Sequence, residues 1–157
     1  MNSIFERLVI FFNLWWCGLA YLMIVTSKDQ KEIIFHDIDR WSFRSKRQKN
    51  RFLNMSYLLS FCKEYRNLLC YRLKAQSKIK SLLFILFFKR VETLYLDTPK
   101  IGKGLIIQHG FATIVSAKEI GDDCWINQQL LLVTAERMHR LSNTGLKYMR
   151  EQSLSVV

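Results

Sequence analysis

The sequence predicts an α+β chain in which an N-terminal helical region is followed by a short parallel β-helix. Three observations carry that reading. Residues 1–93 hold one glycine, Gly18, and no proline, and within them the apolar side chains of 52–74 recur at three- and four-residue steps. From residue 94 onward Gly102, Gly104, Gly110 and Gly121 appear, together with the chain's single proline, Pro99. Isoleucines at 101, 107, 114, 120 and 126 keep a beat of six, broken once by a seven. A helix of period 3.6 does not hold a beat of six, and a plain strand alternates at two. A six-residue beat with small residues beside it marks a hexapeptide β-helix: each aliphatic points inward, and glycines permit the tight corners. The seven-residue step reads as a one-residue bulge that pushes a side chain outward.

At 157 residues, half of them hydrophobic, the chain can bury a real core, which excludes wholesale disorder. Twenty-four Lys and Arg against 13 Asp and Glu give a net +11. That balance suits nucleic acid, an anionic membrane or an anionic small molecule. It is spread unevenly. Residues 1–93 carry 17 basic and 7 acidic side chains, residues 94–129 carry 3 and 4, and residues 130–157 carry 4 and 2. The basic character belongs to the helical region. Cys17, Cys62, Cys70 and Cys124 are scattered with no C-x-x-C spacing, and His36, His109 and His139 do not cluster with them. This argues against a metal site and against a disulfide framework, and for reduced thiols in the cytoplasm.

Taken in order, residues 8–25 (LVIFFNLWWCGLAYLMIV) are an apolar run of 18. Three readings stay open for it: a buried or interface helix, a membrane span, or association with a membrane surface. No A-x-A cleavage pattern follows, which argues against a signal peptide. In residues 27–40, Ser27 is a candidate helix N-cap, with Asp29 and Glu32 near the helix start. Residues 40–51 (RWSFRSKRQKNR) hold six basic side chains, two aromatics and no acid. Such interleaving can grip single-stranded nucleic acid. No nucleic-acid-binding module accompanies it, so a solvated face is the preferred reading. Residues 52–74 read as one amphipathic helix through Leu53, Tyr57, Leu58, Phe61, Tyr65, Leu68, Leu69 and Leu73. Residues 79–90 form a second apolar segment, too short to span a bilayer.

The β segment carries a more specific pattern. IGKGLIIQHG (101–110) and IGDDCWINQQ (120–129) lie within LYLDTPKIGKGLIIQHGFATIVSAKEIGDDCWINQQ (94–129). With EYRNLLCYRL (64–73) and, more weakly, DIDRW (37–41), this text resembles the serine O-acetyltransferase-like branch of the hexapeptide acyltransferases. The resemblance covers about half the chain. It implies a left-handed parallel β-helix after the helical region and a homotrimer of closed symmetry. It also implies transfer of an acetyl group from acetyl-CoA to a hydroxyl, typically that of L-serine on the way to cysteine, without a metal. His109 stands where the family's catalytic histidine stands, in the context I-G-x-G-L-x-I-x-H. A serine hydroxyl is a poor nucleophile at neutral pH, so a base must take its proton as it attacks the thioester. Imidazole is largely neutral and available there.

Two positions depart from the family pattern. Gln108 stands where an Asp often precedes the histidine, and Leu94 where an Asp lies seven positions before the Ile-Gly. The nearest carboxylate, Asp97, is the candidate to orient His109 or to bind the serine ammonium. These departures leave the acceptor open between L-serine and a sugar hydroxyl, and no residue is assigned to acetyl-CoA.

After Gln129 the beat stops. Residues 130–157 read LLLVTAERMHRLSNTGLKYMREQSLSVV. Codons that encode this stretch can, in one shifted frame, also encode V-T-I-G, A-P-T-I, V-K-V-Y and A-G-A-K-F-I-G-G, in the order the family would place them. The expectation is a β-helix truncated by a frameshift, with an irregular tail over 130–157 and weak or absent transferase activity. Two rival readings stand beside the enzyme: an inactive remnant of the family, and a basic membrane-associated or nucleic-acid-binding protein using residues 8–25 and 40–51.

Overall fold

A computed structural model describes residues 4–45, 50–127, 129 and 131–133 of the chain. Helices come first: α1 (Ile4–Val25), α2 (Lys31–Trp41), α3 (Arg51–Phe61), α4 (Lys63–Gln76) and α5 (Lys78–Phe87). Short strands follow: β1 (Leu94–Leu96), β2 (Ile106–Ile107), β3 (Thr113–Ser116), β4 (Trp125–Ile126) and β5 (Leu131–Val133). The protein is therefore α+β, and its strands begin at Leu94, a few residues before Pro99 and Gly102.

All the strand pairs are parallel. β1, β3 and β5 form one sheet, β2 and β4 another, and Ile101 bridges Ile120 between them in sequence. Leu94 pairs with Thr113, Ile101 with Ile120, and Ile106 with Trp125, each 19 positions apart. Nineteen is three hexads plus the one extra residue of the seven-residue step. From β3 to β5 the offset is 17, with Ile114 opposite Leu131. Ile101, Ile107, Ile120 and Ile126 are buried, as the beat requires. Ile114 is not: it faces outward, and its neighbours Thr113 and Val115 are fully buried instead. Alternation along a strand sends the neighbours of an outward residue inward. The extra residue has moved the interior register from 114 to 113 and 115.

Two helical expectations are corrected. The stretch 52–74 is two helices, not one. Cys62 adopts an extended backbone (φ −112°, ψ 94°) and separates α3 from α4. Neither glycine nor proline breaks it. The guanidinium of Arg66 reaches back to donate to the carbonyls of Leu59 (2.6 Å) and Ser60 (2.7 Å), and also to that of Lys89 (2.8 Å). These bonds satisfy carbonyls that a helix end leaves open. Ser27, in turn, does not cap α2. Its hydroxyl donates to the Met23 carbonyl at 2.6 Å, and α2 starts four residues later with Gln30 at the cap position. Working caps do occur at α3, where Asn50 accepts from the Phe52 N–H, and at α5, where Ser77 accepts from that of Lys80.

α1 lies along α3. Asn13 donates to Ser60 (3.4 Å), Cys17 is fully buried, and Tyr21 meets Phe52 edge-on with ring centroids 5.5 Å apart. The window Leu8–Val25 is long and apolar enough to cross a membrane by length and composition. One core joins the helical region to the strands: Ile34, Ile38, Trp41, Leu58, Tyr65 and Leu69 are buried in the same cluster as Leu94, Leu105, Ile107 and Val115. Within 130–157, residues 131–133 extend the first sheet as β5. The rest of the expected irregular tail lies outside the described residues, as do residues 46–49 of the basic stretch.

Candidate active site

His109 follows β2 at a corner of the strand region. Ile107 before it is buried, and the Gln108 N–H donates to the Ile126 carbonyl at 2.8 Å. His109 itself has φ 54°, in the left-handed region that only a few non-glycine residues occupy. Its carbonyl accepts from the Phe111 N–H at 2.7 Å, closing a tight turn. The turn leaves His109 exposed. Gly110 follows because nothing larger fits: a Cβ there would lie 2.8 Å from Leu94 Cδ2 and 3.2 Å from Glu64 Cγ. Gln108, standing where the resembling family often has Asp, accepts from the indole N–H of Trp125 at 3.1 Å. It therefore ties β2 to β4 from outside.

Asp97, the second candidate, follows β1 and is exposed; its N–H donates to the Val115 carbonyl at 2.8 Å. β1 and β2 belong to different sheets, so the two candidate residues leave the strand region at different corners. The carboxylate residue brought against the His109–Gly110 corner is Glu64, in the first turn of α4. The sequence reading quoted Glu64 within EYRNLLCYRL without giving it a role. Its closeness depends on how α4 docks, which no local pattern reports.

The corner stands on a polar layer between helices and strands. Asp37 and Arg72 form an ion pair at 2.9 Å with both side chains only 2% exposed. Arg72 also donates to the carbonyls of Ile101 and Gly102, each at 2.6 Å, and Asp37 accepts from the Gly104 N–H at 2.5 Å. Burial pushes the Asp37 carboxyl up, and the Arg72 guanidinium and the Gly104 N–H pull against it. The indole of Trp41 donates to the Leu105 carbonyl at 2.7 Å. Tyr71 donates to the Thr98 carbonyl at 2.9 Å, and Asn67 bonds the backbone of Val91 and Leu94. Nearer the surface, Asp123 is held by His36 (2.9 Å) and Arg40 (3.3 Å). The His36 hydrogen bond, with Arg40 beside it, keeps the Asp123 carboxyl below the usual range. Thus DIDRW and EYRNLLCYRL supply the docking surface that holds the glycine-bearing corners. Arg40 and Arg51, taken from the basic stretch, are both spent on carboxylates, Asp123 and Asp39.

A cleft of about 430 Å³ opens between α5 and β1, lined in part by Asn67, Phe88, Arg90 and Tyr95; His109 does not line it. Among the described residues no group of three or more His, Cys, Asp and Glu side chains is placed to hold a metal ion. No family model, curated protein or solved structure matches the chain.

Proposed function

We propose that this chain is an acetyl-CoA-dependent O-acetyltransferase of the serine type, with His109 as general base. The observation that carries the reading is the exposed, left-handed His109 at the end of a buried strand, inside the text IGKGLIIQHG. Non-glycine residues in that conformation persist where the surrounding structure imposes them, and they cluster at functional sites. In the reaction, the imidazole takes the acceptor's hydroxyl proton as the oxygen attacks the thioester carbonyl. A carbon–oxygen bond forms, the carbon–sulfur bond breaks, and the proton passes to the departing thiolate. Glu64, which packs against Gly110, joins Asp97 as a candidate to orient the ring, and Asp97 is also the candidate to receive the acceptor's ammonium.

In the same proposal, residues 94–129 belong to coils of a left-handed parallel β-helix, and β5 adds to its first sheet. The 19-residue offsets and the burial of Ile101, Ile107, Ile120 and Ile126 support it. The outward-facing Phe111, Ile114 and Trp125 suit packing against other copies in a homotrimer. The four cysteines are unpaired, which suits a cytoplasmic protein.

The test is thiol release from acetyl-CoA by the purified chain with L-serine, with a sugar acceptor, and with neither. His109→Ala is expected to slow acceptor-dependent release by about 100-fold or more, the scale of a lost general base. Release with the sugar alone would move the acceptor from serine to sugar. Equal rates for the parent and His109→Ala would leave the chain an inactive member of the resembling family.

A further inference from the structure

We infer that α1 and α5 together form an interfacial anchor that lies along the surface of an anionic lipid bilayer. The two helices are neighbours and run antiparallel. At one end Lys80 Nζ donates to the Met23 carbonyl at 3.2 Å; at the other Trp16 stacks on Phe87 with centroids 4.1 Å apart. Each carries an apolar stripe that none of the described residues covers. On α1 it is Leu8, Phe11, Phe12, Trp15 and Leu22, with Phe12 77% and Trp15 79% exposed. On α5 it is Ile79, Leu82, Leu83 and Leu86, the last 73% exposed. The three- and four-residue steps place each stripe on one helix face. Adjacent apolar stripes of this extent mark an interaction surface.

The opposite face of α1 is already committed. Asn13, Cys17 and Tyr21 pack on α3. If α1 crossed the bilayer, it would take Ser56, Ser60 and the α3 carbonyls held by Arg66 into hydrocarbon, or lose them. A helix lying in the interface keeps α3 in water and buries only the exposed stripe.

Charge selects the occupant. Residues 65–91 hold seven basic side chains and no acid, two of them, Arg66 and Arg72, spent within the fold; residues 7–28 hold no acid either, and Glu6, Asp29, Glu64 and Glu92 lie just outside these stretches. Lys28, Lys74, Lys78 and Lys89 are exposed about the two helices, Lys89 in a loose 3.6 Å pair with Glu92. A second copy of this chain would present the same positive rim and be repelled by it. Anionic headgroups are attracted by the rim, while the stripes enter the acyl boundary. None of these residues belongs to the His109 corner, so the inference stands apart from the acetyltransferase reading.

The experiment is co-sedimentation of the full chain with phosphatidylcholine vesicles and with mixed phosphatidylcholine–phosphatidylglycerol vesicles. Binding to the mixed vesicles is expected to be roughly tenfold stronger or more and to weaken with salt. The double variant Leu82→Ser, Leu86→Ser should lower it by at least about tenfold with an unchanged far-UV circular dichroism spectrum. Lys78→Gln with Lys89→Gln should reduce the preference for anionic lipid, at the loss of only the exposed 3.6 Å pair between Lys89 and Glu92. Three results would overturn the inference. One is equal or absent binding to the two vesicle types. Another is resistance to alkaline carbonate extraction, which marks a span. The third is self-association without vesicle binding, relieved by the Leu82→Ser, Leu86→Ser variant, which would make the face a contact between copies.

Discussion

Arg72 and Asp37 are two charges with almost no access to water, and their partners make them tolerable there. Arg72 spends its N–H groups on Asp37 and on the carbonyls of Ile101 and Gly102. Removing one member leaves the other charge buried and two carbonyls without their donor. Arg72→Ala is therefore expected to destabilise the chain by about 3–5 kcal/mol, read from urea unfolding. Asp37→Asn keeps an acceptor for the Gly104 N–H but likewise leaves the buried Arg72 charge without its partner, so it too is expected to destabilise the chain. Asp123 behaves differently, because it lies at the surface. Its carboxyl is held below the ordinary value near 3.8, first by the His36 hydrogen bond. A depressed carboxyl stabilises the fold above its unfolded-state pKa, and that contribution disappears as pH falls through the folded-state pKa. The urea midpoint should thus fall on acidification below about pH 4, and Asp123→Asn should flatten that limb. An unchanged acid limb in the variant would remove Asp123 from the docking account. His109 belongs at this scale too: its motif was legible in the sequence, whereas its left-handed backbone and the packing of Glu64 on the adjoining Gly110 were not.

At the scale of elements, the helix starts and the strand corners follow different rules. The paired corners Lys103-Gly104 and Asp122-Asp123 are 19 positions apart, and both second residues are left-handed, with φ 75° and 57°. Aspartate tolerates that conformation when its side chain is hydrogen-bonded, as Asp123 is by His36. Gly104 has no such freedom. A Cβ there would collide with the Asp123 carboxylate and press on Arg40 Cδ at 2.8 Å and His36 Nε2 at 3.0 Å. Its N–H is also bound to Asp37. Gly104→Ala is expected to cost about 1–3 kcal/mol through strain and loosened docking, measured as a lower unfolding midpoint. A neutral result would show that the corner relaxes without its neighbours. The break at Cys62 has no local sign, since phenylalanine, cysteine and lysine all continue a helix. Arg66 holds that break by binding carbonyls in α3 and after α5. A side chain four positions ahead of the break, reaching to residue 89, leaves no trace in a periodicity. Periodicity likewise misplaced Ile114: it counts residues, and the extra residue before β3 shifted which of them face inward.

For the whole molecule, the strands depend on the helices. β1 to β5 are two to four residues each, and their interior is closed by Trp41, Tyr65 and Leu69 from the helical layer. A piece of about 40 residues with so small a core does not reach independent stability. The isolated segment 94–133 is therefore expected to give a disordered circular dichroism spectrum, whereas the full chain unfolds in one transition seen alike by circular dichroism and tryptophan fluorescence. A folded isolated segment would mean that the polar layer only attaches what is already formed. The same dependence places Asp37, Trp41 and Arg72 among the residues that hold the strand corners at 101–105, apart from the proposed base His109. Their variants should lower activity and stability together, whereas His109→Ala should lower activity alone.

The sequence by itself determined where helix gives way to strand, at residue 94, and which aliphatics, apart from Ile114, line the strand interior. Both are local: glycine and proline act on their own dihedrals, and a repeat of six is written along one stretch of chain. It also marked residues 8–25 as apolar without deciding what they face. Only the tertiary structure decided that one side of α1 packs on α3 while the other joins α5 in an exposed stripe. It decided as well that Asp37, from a weakly marked segment, meets Arg72 across 35 positions, and that Glu64 packs against Gly110. These outcomes depend on partners distant in sequence, whose approach is set by packing, burial and hydrogen bonding among elements that each had several possible neighbours.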